Sequence, residues 1–275
     1  VERFRPFFSF LTFAGFGQAN IRFDDAVILL SAVNDAAVAN GSPDTTGKTL
    51  QWPAKRGISR AGVSGDRTAM KLLKRLFQRR PAIRDLGALA DFIDAQSAFI
   101  AQKGIYEYSR ARAGHYAKVL FAEKDFAQAV ERARWQAFPL GLSMVGEMAG
   151  DALSAQLGLP RRETLDQVIP VVLSVFDRYP VPPSIGEEAW LVARDELAHR
   201  LDLAGGHAPK LVMDIPEPVA EAYFAMMPIH EKLRGRDFQT TRNYLRVSLC
   251  NIHDELISRM DAAALQRALK KGAAA

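Results

Sequence analysis

Apolar positions recur at three- and four-residue intervals from about residue 85 to residue 271, a spacing that predicts a series of amphipathic helices. Residues 85–103 carry Leu86, Leu89, Phe92, Ile93 and Ile100 on this spacing and meet Gly104, where a first break is expected. Further helices follow over 105–121, over 123–138 up to Pro139, and over 140–157 up to Gly158-Leu159-Pro160. Residues 161–178 continue the pattern, with Pro170 expected to kink or split it because proline removes an intrahelical donor and crowds the preceding turn. Ser184 and Glu187 stand at capping-box spacing, so the hydroxyl should cover the Glu187 amide and start a helix that runs to about Leu203. Gly205-Gly206 ends it. After a short extended piece at 210–213, helices are expected over 216–227 and 237–260, the latter with Leu245, Leu249, Ile252, Leu256 and Met260 as its stripe. Asp261 can cap a last helix over 262–271. No repeat of 20–50 residues supports a solenoid, so the expected fold is all-α, an irregular multi-helix bundle.

The pattern changes at Met70. Residues 40–66 are rich in Gly, Ser, Thr and Pro without periodicity, and 1–39 show apolar content without clean turn signals. Two readings stay open for 1–69, an extraneous extension with translation starting at Met70 or a genuine, poorly ordered N-terminal region; a basic amphipathic helix over 70–84 and a helical domain over 85–271 follow. In the basic segment Leu72, Leu73, Leu76 and Phe77 fall on one face, opposite Lys71, Lys74 and Arg75. Such a two-sided cationic helix suits an anionic membrane surface or a protein partner, although its apolar face could equally dock on the chain's own core.

Charge is distributed unevenly. The chain has 36 basic and 31 acidic residues, a net charge of +5. Setting aside the 8 basic and 6 acidic residues of 1–69 leaves 28 and 25. Lys71, Lys74, Arg75, Arg79, Arg80 and Arg84 precede the first acid, Asp85, and residues 85–275 alone are net acidic. The basic character belongs to one end, which counts against nucleic acid as a partner. Cys250 is the only cysteine, so an internal disulfide and a thiolate zinc site are excluded, and a reducing cytoplasm fits. The longest apolar stretches, 7–16 and 26–33, fall short of the roughly 18–20 residues that a bilayer span needs. Arg3 and Arg5 before Phe7 imitate a signal peptide without a cleavage site behind them. The expected location is the cytoplasm, at the inner face of the membrane if the basic helix is an anchor.

Three groups of residues could carry chemistry. On the helix expected over 105–121, Tyr108, Arg112, His115 or Tyr116, and Val119 fall along one side, and an arginine fork beside phenol and imidazole donors could hold an anion. The alternative is a polar network that locks two helices together. Glu196 and His199, three apart, could present a carboxylate and an imidazole to one metal ion, with Glu147, Asp151 and Glu188 as further carboxylates. A second such Glu/His pair is absent, and a solvated face is the plain reading. Cys250, His253 and Asp254 share one region of the C-terminal helix, where a thiolate pair competes with an inert thiol beside the Leu249/Ile252 stripe. No cofactor is implied. Neither GxxxxGK[ST] nor GxGxxG occurs, His230-Glu231 lacks the second histidine of a zinc protease motif, and Gly141-Leu142-Ser143-Met144-Val145 fails as a nucleophile elbow at its last position.

The stretches QKGIYEYSRARAGHYAKVLF and MKLLKRLFQRRPAIRDL resemble those of helical alphaproteobacterial proteins, some of which carry an esterase label, over residues 70–275. The resemblance implies a helical fold beginning at Met70 and transfers no motif. The leading expectation is a non-catalytic helical protein that binds another protein or an anionic membrane surface. The alternatives are a ligand binder or esterase-like hydrolase using the Tyr108/Arg112/His115 face, and a metal-dependent oxidoreductase of bundle type.

Overall fold

The computed structural model describes residues 81–235 and 237–272, and over them the chain is helical. The elements are α1 (Leu86–Ala113), a 3-10 turn (Gly114–Tyr116), α2 (Ala117–Ala122), α3 (Lys124–Leu157), α4 (Arg161–Phe176), α5 (Glu187–Gly205), a 3-10 turn (Val212–Asp214), α6 (Glu217–Ala225), α7 (Glu231–Arg234), α8 (Phe238–Arg259) and α9 (Ala262–Gly272). Strand-like pairing among the described residues is confined to one bridge, Ile83 with Met260, so the fold is an all-α bundle. The proposed contact residues Lys71, Leu72, Leu73, Lys74, Arg75, Leu76 and Phe77, and the extension before them, lie outside the described residues.

Helix α3 is the axis of the bundle. Every residue from 137 to 150 is buried, so this stretch is covered on all sides, as expected of a helix that is apolar or small all round except at Glu147. Close packing here depends on Gly141 and Gly146. A Cβ at 141 would lie 2.8 Å from the Ser97 carbonyl oxygen on α1, and one at 146 would lie 2.8 Å from a Val172 methyl on α4. Around this axis α1, α4, α5 and α8 each press an apolar stripe inward: Leu89, Ile93 and Ile100; Leu165, Val168 and Val172; Trp190, Leu197 and Leu201; Leu245, Leu249, Ile252 and Leu256. Where α3, α4 and α5 meet, Phe176 stacks on Trp190 at 4.2 Å between ring centroids, and Trp135 closes edge-on against Trp190 at 5.8 Å.

Several expected boundaries move, each for a packing reason. Pro139 sits inside α3 and Pro170 inside α4, and neither ends its helix. An interior proline costs about 3 kcal/mol. Next to Pro139, Phe138, Leu140 and Leu142 are buried against the bundle, and each such side chain contributes about 1.5–3 kcal/mol, which offsets the lost turn. Gly104 likewise does not end α1. It provides the notch that receives Tyr223 and Tyr244, since a Cβ there would overlap the Tyr223 hydroxyl, which donates to the Ile100 carbonyl at 2.9 Å. The capping box at Ser184 is not formed: Gly186, at φ 85°, is the residue before α5, no side chain caps the helix, and Ser184 Oγ is buried without a partner. Residues 210–213 lead into a 3-10 turn instead of forming a strand. Asp261 does cap α9, accepting from the Ala264 amide at 3.1 Å.

Residues 81–84 run without helical structure alongside the α8–α9 joint. The Ile83 amide donates to Arg259 O at 2.9 Å and the Asp261 amide donates to Ile83 O at 3.0 Å, with the Ile83 side chain fully buried.

Candidate functional site

Helix α1 ends at Ala113 because Gly114 takes φ 54°, and this break decides which of the suspected residues meet. Tyr108 and Arg112, one turn apart, stay on the same helical face. His115 falls in the 3-10 turn beyond and is exposed, away from the hydrogen bonds that join the other two. Between Tyr108 and Arg112 lies Asp237, at the start of α8. The Tyr108 hydroxyl donates to Asp237 Oδ2 at 2.9 Å, and Arg112 closes a direct ion pair with the same oxygen through Nε and Nη2. Arg112 Nη2 also donates to the Arg234 carbonyl at 3.2 Å. The phenol pKa of Tyr108 is pushed up to about 12, first by burial and then by its bond to the Asp237 carboxylate. The guanidinium of Arg112 is held still more firmly in its charged form by Asp237.

The connection that carries Asp237 is thin. It runs from the end of α6 through the four-residue α7 and turns at Gly235, φ 52°. Arg234 fastens its middle, donating to the Phe224 carbonyl at 2.8 Å and to Ala225 O at 3.2 Å, and lying 5.3 Å over the Phe224 ring. An open recess of about 340 Å³ lies beside it, lined by Glu221, Phe224, Ala225, Arg234, Gly235 and Phe238. Tyr116 is 71% exposed, Val119 60% and Leu233 66%. Tyr116 closes the 3-10 turn that follows α1, and Leu233 is next to the residue whose carbonyl Arg112 grips. Arg110, His115, Lys118 and Lys232 are exposed in the same two segments.

A second charged cluster lies deeper. Arg161, at the start of α4, donates through Nε to Asp151 Oδ1 at 2.5 Å and through Nη2 to Asp151 Oδ2 at 3.2 Å and Glu147 Oε1 at 3.1 Å. Its Nη1 donates to the carbonyls of Ala204 and His207 at the end of α5, the latter at 2.9 Å. Lys210 Nζ reaches Glu147 Oε1 at 3.3 Å. The side chains of Arg161, Glu147 and Asp151 are only 11%, 10% and 13% exposed. Two acids and two bases thus neutralise one another where α3, α4 and α5 meet, and one guanidinium satisfies two carbonyls at a helix end that would otherwise lack donors.

Glu147 and Asp151 therefore face Arg161 and Lys210 and not Glu196. Glu196 pairs with Arg200 at 2.8 Å on the exposed face of α5, and His199 is exposed beside it. Among the described residues no three His, Cys, Asp or Glu side chains come together as a metal-binding group. Ser143 is buried and donates to the Leu140 carbonyl at 2.9 Å within its own helix. Cys250 is a free, half-buried thiol, and His253 Nδ1 lies 3.5 Å from Asp254 Oδ1. Sequence reasoning missed Asp237 and Arg234 altogether. Asp237 looks like an ordinary first residue of an amphipathic helix, and nothing local ties it to a residue 125 positions earlier. Compared with protein families, curated proteins and solved structures, the chain matches none.

Proposed function

We propose that this chain is a peripheral binding protein that docks on an anionic membrane surface. The observation that supports it is that Tyr116, Val119 and Leu233, each more than half exposed, stand in the same segments as the exposed cations Arg110, Lys118 and Lys232. Single exposed apolar residues are ordinary on any surface. Three of them interleaved with cations match the chemistry of an acyl boundary beneath anionic headgroups, where each Lys or Arg near the surface contributes about 1 kcal/mol. Residues 70–80 add a second cationic amphipathic segment in the sequence. No described helix is long and apolar enough to cross a membrane.

The test is co-sedimentation of the full chain with anionic and with neutral vesicles across a salt series. Binding should be confined to anionic vesicles and weaken as salt rises. Replacing Tyr116, Val119 and Leu233 together by serine should lower the affinity at least about ten-fold, a loss of about 1.4 kcal/mol. A second variant carrying Lys71→Glu, Lys74→Glu and Arg75→Glu should lower it further. Equal binding to neutral vesicles, or a serine variant that binds like the parent, would sink the proposal.

A further inference from the structure

Asp237 occupies the N-cap position of α8, yet its carboxylate caps nothing there: no side-chain hydrogen bond is made to the helix amides. A cap of this kind ordinarily contributes about 1 kcal/mol. Instead the carboxylate lies between the Tyr108 hydroxyl and the Arg112 guanidinium, and both donors converge on the one oxygen, Oδ2. A phenol and an arginine fork aimed at one oxyanion are the donor set that recognises phosphate or carboxylate groups. Asp237 stands where the connection through α7, which turns at Gly235 beside an open recess of about 340 Å³, enters α8. The fork is also within reach of solvent, with the Arg112 and Asp237 side chains 38% and 23% exposed.

We infer that Tyr108 and Arg112 form an oxyanion site, for a phosphate group, that Asp237 occupies from within the chain as a tethered competitor. A phosphate entering the fork takes the Arg112 and Tyr108 donors, the Asp237 carboxylate passes to solvent, and the connection 228–237 loses its tie to α1. Tethering gives Asp237 an effective concentration on the order of millimolar or above, so the parent chain answers only to abundant or multivalent phosphate. That phosphate could be free or the headgroup of a lipid; the chemistry recognised is the same. The inference does not depend on the membrane reading, because it can be tested without lipid.

The experiment measures inorganic phosphate binding by calorimetry to the parent, Asp237→Ala, Asp237→Asn and the double variant Asp237→Ala/Arg112→Gln, each as the full chain. Both single variants should bind at least about ten-fold more tightly than the parent, and the double variant should lose that gain. A folded Asp237→Ala or Asp237→Asn chain with no gain overturns the inference, and so does a gain that persists without Arg112. In the parent itself, phosphate should speed tryptic cleavage after Lys232 and Arg234 relative to chloride at matched ionic strength; unchanged cleavage overturns it even if the variants fail to fold. A parallel series with vesicles of phosphatidic acid and of phosphatidylcholine separates the sources. Tighter binding of Asp237→Ala to phosphatidic acid alone, with no gain for inorganic phosphate, rejects a general oxyanion site.

Discussion

Replacing Arg161 by methionine should be among the most damaging single changes in the described unit, and the reason is what it leaves behind. Methionine keeps much of the arginine's length and apolar stem, so packing against α3 and α5 is largely preserved. What disappears is the positive partner of two carboxylates that are 10% and 13% exposed, together with the donors to Ala204 O and His207 O. Lys210 stays on Glu147, and Asp151 is left without a cation. Removing one member of a buried ion pair costs about 3–5 kcal/mol; the surviving lysine argues for the lower part of that range, about 3–4 kcal/mol. For a unit of this size each kcal/mol shifts Tm by about 2–4 °C, so thermal unfolding followed by circular dichroism should show a fall of about 10 °C. Adding Glu147→Met and Asp151→Leu should restore most of it, because an apolar cluster of similar volume has no buried charge to compensate. A single variant that loses less than about 1 kcal/mol, or a triple variant less stable than the single one, would refute the view that Arg161 offsets buried charge.

Gly141→Ala should destabilise by about 1–3 kcal/mol although alanine is the better helix former, since its Cβ would meet the Ser97 carbonyl, a backbone atom that cannot swing aside; denaturant titration reads the sign. Burial raises the Asp94 carboxyl above its usual 3.8, against the opposing bonds from Tyr179 and Arg178. The folded chain then keeps a proton that the unfolded chain has released, so the stability Asp94 contributes is present below 3.8 and is lost as pH rises through its raised folded value. Asp94→Asn should therefore gain on the parent as pH climbs from about 4 toward neutrality, and a pH-independent difference in melting temperature would contradict this. Tyr108, raised to about 12, should ionise later than an ordinary tyrosine in a spectrophotometric titration, and its stability contribution should decline as pH rises from about 10 to 12. Asp237→Asn should bring that titration partway back toward 10, leaving the part due to burial.

The bundle was legible from sequence because its signal is carried by repeated positions: Leu245, Leu249, Ile252 and Leu256 mark one face of α8, and all four are buried. The breaks were less legible because glycine and proline act according to what surrounds them. Gly104 and Pro139 look like terminators in isolation, whereas the tyrosines of α6 and α8 fill the notch at one and the packed flanks of α3 carry the chain through the other. Gly114 was the reverse case, a true terminator inside a stretch that looked continuous, and it separates His115 from Tyr108 and Arg112. Pairing of charges was legible only within a helix. Glu196 with Arg200 follows from their four-residue spacing, but Arg112 with Asp237 and Arg161 with Glu147 depend on contacts between helices, for which a single chain offers no local mark.

The pairing of Ile83 with the α8–α9 joint has a consequence for the order in which the unit can be completed during synthesis. The partners of Ile83, the Arg259 carbonyl and the Asp261 amide, are made about 180 residues after it. Until the ribosome has released them, the buried Ile83 side chain and the face of α1 that α8 covers have nothing to close against, and the nascent chain exposes both. The seam thus cannot shut before α9 begins to emerge, and a chain truncated before Arg259 would be left with an open edge at residues 81–84. Such truncations should be caught by proteases at residues 81–86, far from the cut that caused them.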